Sequence, residues 1–332
     1  MNQVSASRAS TWWTPVGLFQ RSGRLFPFFA VASLVAALLV VTLGGVVRVT
    51  GSGLGCPDWP LCHGRLIPPA DAKAWIEYLH RLSVSLTSVF VFLLAATAVA
   101  RAGFNRESAL PLIAPVLLVA QALLGAVTVR LEIDPAVALT HTVVAMVFLG
   151  TLAVVVSGVA PWATVIGRSV AEGLAAHARR RAVRVTLVGL AVVTFLLIVS
   201  GAYVYRSGAP LACLGYPMCG TIVETDTARG LQDIHMFHRY AALVAVLLTG
   251  HALGVVARLR LGTRVLLVVT AGVAALMAVQ VALGASNVLF RLPEWARLGH
   301  LVAASLVFVL MVLAAATVWR APGAPPKETR GA

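Results

Sequence analysis

One unit is written twice along this chain. His80 and His238 stand 158 residues apart, each followed by arginine, and His141 and His300 stand 159 apart. Leu124-Gly125-Ala126 returns as Leu283-Gly284-Ala285 and Gln121 as Gln280, again 159 apart. Cys56 and Cys62 return as Cys213 and Cys219, 157 apart. A duplication constrains the fold before any other feature, because the two copies share one topology. Each copy places two histidines inside apolar segments, which is the ligand set a six-coordinate haem iron requires.

Of the 332 residues, 59% are hydrophobic and 11% charged, and the mean hydropathy is +0.91. Soluble domains carry about 25% charged residues, so the chain reads as an all-α integral membrane protein. The net charge of +14 does not indicate nucleic acid, because the basic residues are dispersed between apolar runs in the positive-inside manner. Residues 1–25 are too long and too polar to front a cleaved signal peptide, so the first apolar run is read as a retained helix.

Eight apolar runs approach the ~20 residues needed to cross a bilayer. They lie at about 26–47, 79–100, 111–130, 137–159, 184–205, 235–257, 264–286 and 297–319. The expected organisation is an N-terminal segment 1–25, a four-helix half 26–160, a basic linker 161–183, a second four-helix half 184–319 and a tail 320–332. An even number of helices per unit makes the repeat parallel, two tandem pseudo-symmetric bundles with equivalent residues at equal depth. With the N-terminus cytoplasmic, the inner segments hold 16 of the 26 Lys and Arg residues. Both termini are therefore expected in the cytoplasm of the cell membrane, with the cysteine loops on the outer face.

All four cysteines fall in the two large outer loops, Val49–Tyr78 and Arg206–Asp233, as Cys-x5-Cys pairs. An oxidising compartment favours two intra-loop disulfides, Cys56–Cys62 and Cys213–Cys219. Redox-active thiols and a metal site remain alternatives. Neither loop supplies four good zinc ligands, although His63 neighbours Cys62.

His141, His238 and His300 sit about one turn inside the outer ends of their helices, and His80 at the mouth of its helix. All four share one leaflet, so two haems would lie side by side rather than stacked as a transmembrane wire. A lone intramembrane histidine is commonly a helix–helix hydrogen bond; four in duplicated register argue for ligation. His251 has no repeat partner and reads as structural, while His177 belongs to the basic linker and His63 to a loop. Arg81 and Arg239 suit either haem propionates or interfacial snorkelling. Glu77 lies three residues before His80, whereas the residue three before His238 is His235. The first unit thus has a carboxylate beside its histidine and the second an imidazole, which assigns chemistry to the first and electron delivery to the second. The bland alternative for Glu77 is a solvated charge at a helix end.

The segment Gly44-Gly45-Val46-Val47-Arg48-Val49-Thr50-Gly51-Ser52-Gly53-Leu54, followed by Cys56-Pro57-Asp58-Trp59-Pro60-Leu61-Cys62, resembles the haem A synthase family. So do Glu77-Tyr78-Leu79-His80-Arg81, His141, His238-Arg239 and His300, and the likeness covers residues 26 to 319. The resemblance implies an eight-helix bundle of two halves that oxidises the C8 methyl of haem O to the formyl group of haem A. It implies substrate haem on His80 and His141, a permanent haem b on His238 and His300, and a catalytic carboxylate at Glu77. It also implies contact with the haem O synthase that supplies substrate and with a membrane electron donor, and it leaves a homo-oligomer open.

Two other classes compete: a bis-haem cytochrome b that oxidises quinol, and a haem transporter or chaperone. The first explains four histidines but not the Glu77/His235 difference. Pigment analysis separates them: haem b with haem O or A for a synthase, haem b alone for a carrier, little retained haem for a transporter.

Overall fold

Hydropathy marks where a bilayer would begin, not where a helix does, and the helices here outrun their apolar runs at several ends. The computed structural model describes residues 15–159, 177–220, 225–258 and 264–320. Among these residues eight helices form: α1 (Pro15–Val49), α2 (Ala72–Ala102), α3 (Arg106–Arg130), α4 (Pro135–Ser157), α5 (His177–Arg206), α6 (Asp226–Arg258), α7 (Arg264–Leu289) and α8 (Glu294–Arg320). All eight contain a stretch long and apolar enough to span a membrane. The tail 321–332, the first fourteen residues and most of the expected linker lie outside the described residues.

Several starts precede the hydropathy reading, α1 at Pro15 rather than 26 and α5 at His177 rather than 184 among them, and two others bear on the site. Helix α2 begins at Ala72 rather than 79, behind the N-cap Asp71, whose carboxylate accepts from the Ala74 N–H. Helix α6 begins at Asp226 rather than 235. Their first turns carry polar residues that a hydropathy window rejects but a capped helix accepts. His80 therefore lies two turns inside α2, not at its mouth, and Glu77 is a helical residue.

Within α1–α4 each helix packs on the next and α4 closes back on α1; α5–α8 close in the same way. The rings join through α4 against α5 and α8, and through α1 against α8. Helix α8 is the hub, with 56% of its apolar window buried against 22–39% for the others. Lipid gives helices no hydrophobic reason to associate, so close packing and polar contacts hold such a bundle. Side chains such as Phe28, Leu39, Phe92, Leu196 and Leu247 face outward. The packed cores lie away from the cysteine loops. One gathers Phe26, Leu34, Leu94, Leu118, Met146, Leu149 and Phe308; others gather Leu187, Leu266 and Val318 and Leu190, Met277 and Met311. Many helical hydroxyls are satisfied locally: Thr87, Thr128, Thr194 and Thr249 each donate to the carbonyl four residues back, which pairs them without water.

The turns at the loop end repeat as well. Glu132 and Ile133 have φ of 49° and 66°, and Arg291 and Leu292 have 55° and 64°. In both turns a backbone N–H reaches back five residues, Ile133 to Thr128 and Leu292 to Asn287. The first loop is seated by Gly55, where an added Cβ would run into the backbone of Lys73 and Ala74 at the start of α2. Gly55→Ala should lift the loop off α2, costing about 1–3 kcal/mol as overpacking does. In detergent its thermal midpoint should fall, whereas Gly189→Ala, where a Cβ meets nothing within 4 Å, should not lower it. An unchanged midpoint for Gly55→Ala would disprove the seating.

Candidate cofactor and catalytic site

The end of the bundle that bears the cysteine loops is where all four histidines gather. Both cysteine pairs are disulfides, with Cα separations of 4.6 Å for Cys56–Cys62 and 4.4 Å for Cys213–Cys219. Cys56 and Cys62 are buried with Ala74 against Tyr78. Among the described residues no group of histidine, cysteine and acid side chains forms a protein-only metal cluster.

Each disulfide loop is fastened to its histidine helix by the arginine that follows the histidine. Arg81 donates to the carbonyls of Cys56, Asp58 and Leu61 at 2.8, 2.6 and 2.9 Å. Arg239 donates to the equivalent carbonyls of Cys213, Gly215 and Met218, and also to Pro217. Propionate pairing and snorkelling were the sequence readings for these arginines; clasping the loop is a role that neither contained. Carbonyls converging from a loop leave no sequence signature, so only the fold reveals it.

The same guanidinium holds the residue that differs between the halves. Arg81 Nε donates to Glu77 Oε1 at 3.1 Å, with the two side chains 15% and 7% exposed. Glu77 is therefore a buried, paired carboxylate and not a solvated helix-end charge. Its i, i+4 spacing to Arg81 was the available sequence signal. In the second half Arg239 Nη2 lies 3.3 Å from His235 Nε2.

Each histidine ring is housed against a glycine of the neighbouring helix. A Cβ on Gly44 would stand 3.2 Å from His80 Cε1, on Gly201 2.9 Å from His238 Cε1, on Gly125 3.5 Å from His141 Cε1 and on Gly284 3.1 Å from His300 Cε1. Gly125 and Gly284 belong to the repeated Leu-Gly-Ala triplet and Gly44 to the quoted motif, so these positions were visible but their purpose was not.

The pairs differ in how their rings are held. Ser200 Oγ donates to the Leu197 carbonyl and lies 2.9 Å from His238 Nδ1, so it accepts the Nδ1 proton. His300 Nδ1 donates to the Gln280 carbonyl at 3.1 Å. Both tethers select the tautomer that leaves the Nε2 lone pair as an acceptor, the form a metal binds; in His300 that atom lies 3.3 Å from Gln280 Nε2, a contact that a metal would displace. In the first half no hydrogen bond closes on Nδ1 of His80 or His141, and the repeat counterpart of Ser200 is Leu43. A cavity of about 980 Å³ opens between His238 and His300, lined mostly by apolar groups, with Arg48, Gln280 and Arg297 among its polar members. His251 lies exposed deeper along α6 and His63 bonds the Gly55 carbonyl within the loop, so neither joins the site. His177 only opens α5.

The loop also carries an acid. Asp58 accepts from the N–H groups of Gly64 and His63 at 2.7 and 2.6 Å. Those bonds, Gly64's foremost, hold its carboxyl below the usual value.

Comparison with known proteins places these features in a family. The profile of the COX15-CtaA family, described as cytochrome oxidase assembly protein, matches residues 27–312. A protein named Heme A synthase from an Exiguobacterium species is 31% identical over 230 residues, covering 68% of this chain and 71% of that protein. Another of that name from Alkalihalophilus pseudofirmus is 32% identical over 66% of this chain and 72% of its own length. A third, from Shewanella oneidensis, is 26% identical and aligns over 86% of this chain and 94% of its own.

Two outcomes follow from the clasps. Arg81→Leu strips three loop carbonyls and strands a buried carboxylate, a loss of about 3–5 kcal/mol. Its thermal midpoint should fall further than that of Arg239→Leu, which strands only an imidazole, and adding Glu77→Leu should recover part of the loss. Equal losses in the two single variants would refute the charge argument. Because the Asp58 carboxyl is depressed, its support for the 58–64 turn is present above the ordinary aspartate value and lost as pH falls through the lowered one. The protection factor of the Gly64 amide should fall along that acid limb, and Asp58→Asn should abolish that fall.

Proposed function

The chain belongs to the COX15-CtaA family of cytochrome oxidase assembly proteins, and on that premise we propose that it is a haem A synthase, a membrane oxidoreductase converting haem O to haem A. The C8 methyl of the substrate is hydroxylated twice, and the resulting gem-diol loses water to leave the formyl group. The observation that carries this reading is a chemical difference inside a duplicated frame. Glu77 with its Arg81 partner stands beside His80 where the second half has His235, and among the described residues the helical histidines with an Nδ1 hydrogen bond are His238 and His300.

His80 and His141 hold the substrate haem, their untethered rings suited to a ligand that must enter and leave. His238 and His300 hold a permanent haem b. The fit is supported by Nδ1 tethers that leave both Nε2 atoms as acceptors, by glycines housing both rings, and by the unpartnered Gln280 Oε1 and Asn287 Oδ1 in the cavity wall. When bound, haem b supplies one-electron transfer; the electrons are exchanged with a membrane donor. Glu77 accepts a proton at its carboxylate or steadies positive charge developing at the methyl carbon, and Arg81 pairs with it and aims it. The disulfide loops close the histidine end and limit water. The distribution of Lys and Arg supports loops on the outer face and both termini in the cytoplasm. Haem O synthase is the proposed supplier of substrate, directly or as part of a larger assembly.

Glu77→Gln should keep the haem b spectrum and lower haem A formation by ~10²–10⁴-fold, the range for loss of a general base. His238→Leu or His300→Leu should remove most bound haem b. The assay is haem extraction and mass analysis from one preparation supplied with haem O. Near-normal haem A from Glu77→Gln, or an undisturbed low-spin spectrum in both histidine variants, would refute the respective role.

A further inference from the structure

Three arginines converge on one tyrosine where the two halves meet. Arg48 ends α1, Tyr205 and Arg206 end α5, and Arg297 lies in the first turn of α8. The guanidinium carbons of Arg48, Arg297 and Arg206 stand 5.0, 5.5 and 5.6 Å from the Tyr205 ring centroid. Arg297 also donates to the Tyr205 hydroxyl at 2.8 Å and to the Val49 carbonyl at 3.4 Å. The Nε atoms of Arg48 and Arg297 are buried without a hydrogen-bond partner. Among the described residues the one ion pair is Glu77–Arg81, so no carboxylate answers this cluster.

Cations drawn together out of water repel one another and call for a counter-charge. The ring face of Tyr205 offers partial compensation through its quadrupole, but it does not cancel the charge. Arg48, Tyr205 and Arg297 all line the cavity that contains His238 and His300. Arg48 comes from the first half and His300 from the second. The arginine on the histidine helix of that cavity, Arg239, already donates to four loop carbonyls.

We propose that Arg48 and Arg297 form the carboxylate seat of the second-half cavity: they bind the two acidic side chains of the porphyrin whose iron His238 and His300 ligate. This rests on the haem b reading given above and adds the residues that orient the ring. Guanidinium forks suit carboxylates better than any other cation, and the two buried Nε–H groups are donors awaiting acceptors. Because Arg48 belongs to α1, the ligand of the second half is gripped partly by the first, and filling the cavity ties the halves together.

The test is spectrophotometric titration of haem-depleted, full-length protein in detergent, in a His80→Leu background that confines binding to the second half. The probes are ferric protoporphyrin IX and its dimethyl ester, which lacks the negative charges. The parent should bind the free acid at least about tenfold more tightly than the ester. Arg48→Gln and Arg297→Gln should each weaken free-acid binding about tenfold and leave ester binding within about twofold. Arg48→Lys should recover part of the loss, and the low-spin spectrum should persist throughout. Arginine variants that bind the free acid like the parent, or that lose acid and ester equally, would overturn the seat. If His238→Leu in this background retains the parent's low-spin haem, the haem b reading itself fails and the seat falls with it. Haem binding that depends on His238 but ignores both arginines sinks the seat alone.

Discussion

A guanidinium that satisfies loop carbonyls from inside a helix bundle is the contact on which the site depends. The polypeptide between α1 and α2, and that between α5 and α6, carries backbone groups that must be paired wherever they leave water. Arg81 and Arg239 provide that pairing from helices that also carry His80 and His238. Loop position and histidine position are thereby set by the same side chain. The disulfides close each loop on itself, and Gly55 lets the first loop press onto the start of α2. Together these contacts roof the end of the bundle where the histidines stand, while apolar packing is concentrated at the other end.

Duplication supplies a frame, and small departures from it divide the labour. The clasping arginine is common to both halves, but its helical neighbour is Glu77 in one and His235 in the other. The glycine housings are common, but Ser200 faces His238 where Leu43 occupies the counterpart position. A carboxylate at one position and a hydroxyl at another are enough to give the two pairs of imidazoles different neighbours within one helix frame.

The join between the halves is more than apolar surface. Helix α8 packs against both rings, and Phe308 on α8 belongs to the core of the first half while touching Phe195 of α5. At the loop end the join becomes cationic, with Arg48 and Tyr205, equivalent positions of the two copies, lying face to face. Neither half is chemically complete in isolation at that end.

Read alone, the sequence determined the eight apolar helices and the repeated offsets that set two histidines and one cysteine pair in each copy, and it favoured the disulfides that the structure contains. These are legible because they rest on local composition and on self-similarity, and the same offsets recur whatever the backbone does between them. Helix starts, Ala72 and Asp226 among them, precede the apolar runs because polar first turns look like loop to a hydropathy window. What only tertiary structure decided were contacts between residues with no fixed spacing: Arg81 on three loop carbonyls, Ser200 on His238, the glycines beneath the rings, and Arg48 with Arg297 around Tyr205. A guanidinium or a hydroxyl has the same identity in a snorkelling, clasping or ligand-binding role. Which role it takes depends on the unpaired groups the fold brings within about 3 Å, and that distance is a property of the packed bundle.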